Sequence, residues 1–224
     1  MQQTIKQLSI GLILFSISSG LSGIAANENS TLHWYHIELI LFSQLQTQSL
    51  NNEKWPEVSA LDLPDNVIQL VGTNPNGLSP LPRNFQMLSK NQWRLSSQQY
   101  ALNHNDHYQT LLHLAWNEGF KRYAKTRPLY IQTEQLSGVM QITMQHYFEF
   151  QSDIIYNVPT DVLTQYTKLS DYKGKNLQNN QATFQIMQSG RMRSHELNYL
   201  DHPVLGMLIQ IDPIQSSNQV TETS

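Results

Sequence analysis

The first sustained pattern in the chain is strict alternation. From Trp34 to Phe42, Tyr35, Ile37, Leu39 and Leu41 fall on one face, and Trp34, His36, Glu38, Ile40 and Phe42 fall on the other. Period-two spacing with apolar residues on both faces predicts a central or near-central β-strand. Its polar members, His36 and Glu38, either line a groove or pair with polar neighbours on the strand surface. Over 44–83 the periodicity lapses into turn-forming pairs, among them Trp55-Pro56, Asn76-Gly77 and Pro80-Leu-Pro82. This predicts one long irregular region, docked onto the domain by Trp55. Two helices are expected next. Phe85, Leu88, Gln92 and Leu95 stand at helical spacing over 85–99. Tyr108, Leu111, Leu112, Ala115 and Trp116 form an apolar stripe over 105–118, with Asn105 or Asp106 at its start and Gly119 at its end. His113 lies off that stripe, on what reads as a solvated face.

The second half of the chain reads as strands. A short one is expected over 127–131. Over 139–150, Met140, Ile142, Met144, His146, Phe148 and Phe150 alternate with more polar residues, which predicts a single long half-buried strand with His146 on its apolar face. A polar connection over 161–180 leads to a strand over 182–188 with Phe184 and Ile186 inward. Leu205, Met207, Ile209 and Ile211 mark one face of a last strand that Pro213 ends, and the tail from Ser216 is polar and expected to be disordered. Helical segments followed by a run of strands predict an α+β class: one domain over 26–215, built on a largely antiparallel sheet with two or so helices packed on one face.

The N-terminus adds a compartment. Lys6, the apolar run from Leu8 to Leu21 and the small residues Gly23 and Ala25 have the layout of a secretory signal peptide over 1–25, cleaved after Ala25. Serines and Gly20 interrupt the run, which is short for a membrane span of about 20 apolar residues. No stable membrane insertion is expected after cleavage. The chain has no cysteine, so thiol chemistry, Cys metal sites and lipid attachment through a cysteine are excluded. Its formal charge is -3, and Lys6 is the only charged residue in the leader. No overall basic field is present to attract nucleic acid.

Candidate chemistry concentrates in the segment from Arg191 to Gly206, Arg-Met-Arg-Ser-His-Glu-Leu-Asn-Tyr-Leu-Asp-His-Pro-Val-Leu-Gly. His195 and His202 match no common zinc spacing, and no cofactor-binding loop or nucleophile motif occurs elsewhere. Glu196 and Asp201 are two carboxylates of the kind a glycosidase uses. Alternatively, Asp201 caps a turn before Pro203 while Arg193 pairs with Glu196. Arg191, Arg193, His195, Glu196, Tyr199 and His202 form a polar patch. Guanidinium groups take carboxylates bidentately, and His and Tyr hydrogen-bond sugar hydroxyls. Such an inventory suits an exported carbohydrate carrying free carboxylates, such as peptidoglycan.

Several blocks make the resemblance specific: Trp34-Tyr-His-Ile-Glu-Leu-Ile-Leu-Phe42, Trp55-Pro56, Tyr108-Gln-Thr-Leu-Leu-His-Leu-Ala-Trp116, the stretch from Gly138 to Ile155 with Tyr147, and above all Arg191 to Pro203. In these the chain resembles the CsiV family of periplasmic peptidoglycan-binding proteins. It departs from that pattern at Gly190 (Arg in the pattern), Asn198 (His), Glu118 (Gln) and Phe148-Glu149 (Leu-His). The resemblance implies a non-enzymatic protein of a Gram-negative periplasm. Such a protein binds peptidoglycan and supports its synthesis with an outer-membrane lipoprotein that activates a penicillin-binding protein. It assigns no contact residues. Two other classes stay open at this point. One is an interaction adaptor working through the 44–83 loop, with the 191–206 segment acting as a structural clasp. The other is a cell-wall hydrolase using Glu196 and Asp201.

Overall fold

In a computed structural model describing residues 31–55, 57–72, 80–172 and 177–215, the alternating segment is β1 (His33–Ser43), the middle strand of a sheet. The leader expected over 1–25 and the disordered tail expected from Ser216 both fall outside the described residues. After β1 come α1 (Thr47–Asn52), β2 (Ile68–Val71), β3 (Phe85–Met87), a 3-10 turn (Lys90–Gln92), α2 (Ser96–Asn103), β4 (Gln109–Phe120) and β5 (Leu129–Gln132). Then follow β6 (Leu136–Met144), β7 (Phe148–Pro159), α3 (Thr160–Leu163), β8 (Leu177–Gln178), β9 (Gln181–Met192), β10 (Leu197–Leu200) and β11 (Leu205–Pro213). The strands form two sheets, in the orders β10-β11-β1-β4-β3 and β2-β5-β6-β7-β9-β8. All pairings are antiparallel except β2 with β5.

The sheets meet across one core. Ile37, Leu39, Trp116 and Ile209 from the five-stranded sheet share it with Met140, Phe150, Ile154 and Phe184 from the six-stranded one. Tyr35 and Phe120 pack edge-on against Phe148 across the divide, at 4.8 and 5.4 Å between ring centres. Each fully buried aliphatic or aromatic side chain here contributes about 1.5–3 kcal/mol. Two facing sheets therefore stand where a single helix-covered sheet was expected. The outer face of β1 carries a second, smaller cluster of Ile40, Phe42 and Leu95, with Leu102 of α2 packed against it. Leu50 of α1 and Leu163 of α3 instead enter the main core.

Three sequence expectations are corrected. The stripe over 105–118 is not a helix but β4, paired with β1 along its length. Both faces of β4 are covered, and a register shift opposite Leu41/Phe42 leaves Leu111 as an extra residue. A doubly buried strand with one bulge places apolar residues at i, i+3 and i+4 just as a helix does. His113 is accordingly buried, not solvated. The segment 85–99 is not one helix either: it is β3, then a turn capped by Ser89 and Gln92, then the start of α2. The alternation over 139–150 belongs to two strands, β6 and β7. Met144 pairs with Phe148 across a turn at 145–147, so inward parity passes through the turn unbroken and His146 stands exposed at its tip. Within 44–83, α1 and β2 interrupt the irregular run, and Trp55 docks it as expected, edge-on to Phe184 at 4.8 Å.

Candidate functional site

The segment 191–206 owes its mixed character to its place in the fold. Arg191 is the penultimate residue of β9 in the six-stranded sheet, whereas Leu197–Leu200 is β10 at the edge of the five-stranded sheet. The chain crosses between sheets at 193–196. His195 turns the corner with φ at +65°, a conformation His adopts more readily than most non-glycine residues, and its N–H donates to the Ile211 carbonyl at 2.9 Å.

At this corner the structure brings together Arg191, Arg193 and Glu196 with the β6–β7 turn. The register that pairs Phe148 with Met192 and Glu149 with Arg191 sets Tyr147 beside Arg193. The Arg193 guanidinium lies over the Tyr147 ring at 5.6 Å from its centre, a cation–π arrangement. It is also 3.7 Å from Glu196. Arg191 is 3.9 Å from Glu149, whose carboxylate also accepts from Gln145 Nε2. Both arginine side chains remain mostly exposed, at 75 % and 65 %, so these pairings leave donors free for a ligand. Two hollows flank the Arg193–Tyr147 pair. One, of about 380 Å³, is walled by Arg191, Arg193, Tyr147 and Glu196. The other, of about 390 Å³, adds Tyr35, Arg122, Gln145 and His146. Burial pushes the Tyr35 hydroxyl up, against the pull of the Arg122 charge. Next to this hollow, exposed Tyr123 holds His146 Nε2 through its hydroxyl at 3.0 Å. Tyr147, Arg122 and Gln145 were not picked out as site residues by sequence reasoning. Their signal is three-dimensional: the β7–β9 register carries Tyr147 and Gln145 to Arg193, and the bond from the Tyr123 N–H to the Met144 carbonyl brings the loop of Arg122 to the turn.

The other predicted residues are engaged elsewhere. His195 Nδ1 is 3.6 Å from Asp212, which also receives Arg94 and Gln210. The Tyr199 hydroxyl lies 2.6 Å from Asp201 Oδ1 and 2.9 Å from Gln44 Oε1, and its ring stacks on Phe42. Burial, then the adjacent Asp201 carboxylate, pushes that hydroxyl up. Tyr199 and Gln44 hold Asp201 below the usual carboxylate range. The Gln44 amide also donates to the His202 carbonyl. The His202 ring packs beside Trp55, and burial lowers its basicity, partly offset by Asp201. Tyr199, Asp201 and His202 thus form a clasp that fixes β10, the end of β1 and the Trp55 segment. Glu196 and Asp201 belong to separate groups, one on Arg193 and one on Tyr199, and do not form a facing pair.

A third polar group is fully buried. Glu38, 1 % exposed, accepts from the backbone N–H groups of Arg94 and Leu95 at 2.7 and 2.8 Å, and is bonded to His113 at 2.7 Å and His36 at 3.1 Å. Burial raises its pKa, but these four bonds outweigh burial and hold it at about 2. The pairing expected for His36 and Glu38 is therefore present, and it anchors the segment before α2. Glu118, also buried, has one donor, Trp116 Nε1 at 3.1 Å, and burial pushes it up to about 7. Among the described residues no group of three or more His, Asp or Glu side chains is arranged to hold a metal ion.

No curated protein and no solved structure matches the chain. The family model described as "Peptidoglycan-binding protein, CsiV" matches residues 7–214. An exposed arginine–tyrosine corner on a two-sheet body is thus carried by a chain that belongs to the CsiV family of peptidoglycan-binding proteins.

Proposed function

We propose that the chain binds peptidoglycan at the corner formed by Arg191, Arg193, Tyr147 and Glu196, and that it does so as a periplasmic binding module without catalysis. The observation that carries the reading is the Arg193 guanidinium held over the Tyr147 ring between two open hollows. Arg191 and Arg193 take carboxylates, and Tyr147 offers a ring whose face suits the C–H side of a sugar and whose hydroxyl suits a polar group. The family's description supports the ligand. Bound to peptidoglycan, the chain supports its synthesis by acting with an outer-membrane lipoprotein that activates a penicillin-binding protein.

The test is co-sedimentation with purified sacculi. Arg191→Ala/Arg193→Ala is expected to fold normally and bind about tenfold more weakly, a loss of about 1.4 kcal/mol. A double variant that keeps the wild-type circular dichroism spectrum and sediments as well as wild type removes the corner as the site. The partner role is measured by glycan polymerisation with the lipoprotein and the synthase, with and without this chain. An unchanged rate removes that part of the reading.

A further inference from the structure

The corner is one end of a longer surface. The β6–β7–β9 registers set outward-facing side chains in successive rows: Val139, Asp153 and Met187; then Gln141, Gln151 and Ser189; then Thr143, Glu149 and Arg191; then Tyr147 beside Arg193. From Val139 to Gln145 this is roughly 20 Å along the strands, at about 3.3 Å per residue. The far end is hollowed as well. A concavity of about 420 Å³ is floored by Gln141, Gln151, Met187 and Ser189 and rimmed by Pro64 and Pro128. The segment that leads to Pro64 is tied to the sheet at Ser59: its N–H and hydroxyl both donate to Gln185 Oε1, and Gln185 Nε2 donates to Asp153.

We infer that this outer face is a binding track for an extended glycan strand, neutral sugar lying on the amide-lined floor and carboxylates carried on the strand reaching Arg191 and Arg193. The inference rests on the reading of the corner given above and extends it to the length of the ligand. Three features select a saccharide. Among the described residues no cation lines the far hollow, and its Gln and Ser side chains offer donors and acceptors together, matching hydroxyls. Met187, 74 % exposed, Val139 and Pro64 place apolar surface between these groups, matching pyranose C–H faces. The track crosses the face of the sheet, whereas an extended peptide pairs with the backbone of an edge strand. The cationic end then matches the carboxylates in an otherwise acidic chain.

The test is equilibrium binding of the full chain to peptidoglycan glycan strands freed of stem peptide by an amidase, which retain their lactyl carboxylates. Two fold-checked variants are compared: Gln151→Glu/Ser189→Glu, both at exposed positions in the middle of the track, and Arg191→Ala/Arg193→Ala. Each is expected to weaken binding by about tenfold, with free stem peptide failing to compete. If only the arginine variant loses binding, contact stops at the corner and the track is wrong while the corner reading stands. If only the Gln151/Ser189 variant loses binding, the corner reading falls and the inference, which rests on it, is overturned with it. Complete displacement by free stem peptide makes the occupant a peptide and overturns the inference.

Discussion

Arg193 rests its guanidinium on the ring of Tyr147 at 5.6 Å, joining the end of β9 to the β6–β7 turn. The contact exists because β7 and β9 pair through Phe148 and Met192, and it leaves hollows open on both sides. The polar side chains of the 191–206 segment fall into an exposed corner, the contact of His195 with Asp212, and the clasp of Tyr199, Asp201 and His202.

That division predicts separable effects. Tyr199→Phe removes the hydroxyl that meets Asp201 and Gln44 but leaves the stack on Phe42. It is expected to lower stability by about 1 kcal/mol, seen in urea unfolding, with sacculus binding unchanged. Weaker binding at full stability would place Tyr199 in the ligand site instead.

Glu38→Ala is expected to be far more damaging. It strips two imidazoles and two backbone N–H groups of a buried acceptor, at a cost of about 3 kcal/mol or more. The melting temperature falls by roughly 10 °C. Because Glu38 in the folded chain titrates near 2, below its ordinary 4.5, the unfolded chain takes the proton first. Stability from this group is full above pH 4.5 and is lost as pH falls toward 2. Glu38→Gln should flatten that part of the stability curve.

Glu118 works in the opposite sense. Its folded pKa, about 7, lies above its ordinary 4.5, so the folded chain holds the proton longer. Stability declines as pH rises from 4.5 to 7, and the full cost stands above 7, about 3 kcal/mol at 1.4 kcal/mol per pH unit. Glu118→Gln keeps an acceptor for Trp116 Nε1. It is expected to raise the melting temperature at pH 8 and leave it unchanged at pH 4. Equal effects at both pH values would show that burial does not govern this carboxyl.

Gly206→Ala tests the packing under the clasp. A Cβ there would meet the Phe42 ring at 2.2 Å, so Phe42 must shift and its stack with Tyr199 breaks. A loss of about 1–3 kcal/mol is expected, with a changed near-ultraviolet circular dichroism spectrum. An unaltered spectrum and melt would mean that the ring yields freely.

Strand β1 was legible because its alternation is long and uninterrupted, and β11 because four inward aliphatic residues repeat at period two. β4 was not, because burial on both faces and the extra residue at Leu111 reproduce helical spacing. The 145–147 turn was hidden by parity, since Met144 and Phe148 both point inward on either side of it. At the candidate corner, Arg191, Arg193 and Glu196 stand out in the sequence by local charge density, and the fold keeps them together. Tyr199 and His202 are adjacent to these in sequence, but β10 and the connection after it carry them to the clasp. Tyr147 reaches the corner only through strand pairing, and Arg122 through the loop after β4, where the Tyr123 N–H donates to the Met144 carbonyl.

The site is tested most directly by nuclear magnetic resonance titration of the labelled chain with soluble muropeptide fragments. The Nε–Hε signals of Arg191 and Arg193 and the Tyr147 ring signals are expected to move with ligand and saturate together. A titration that saturates with these signals fixed, while others move, would contradict the corner as the peptidoglycan-binding site.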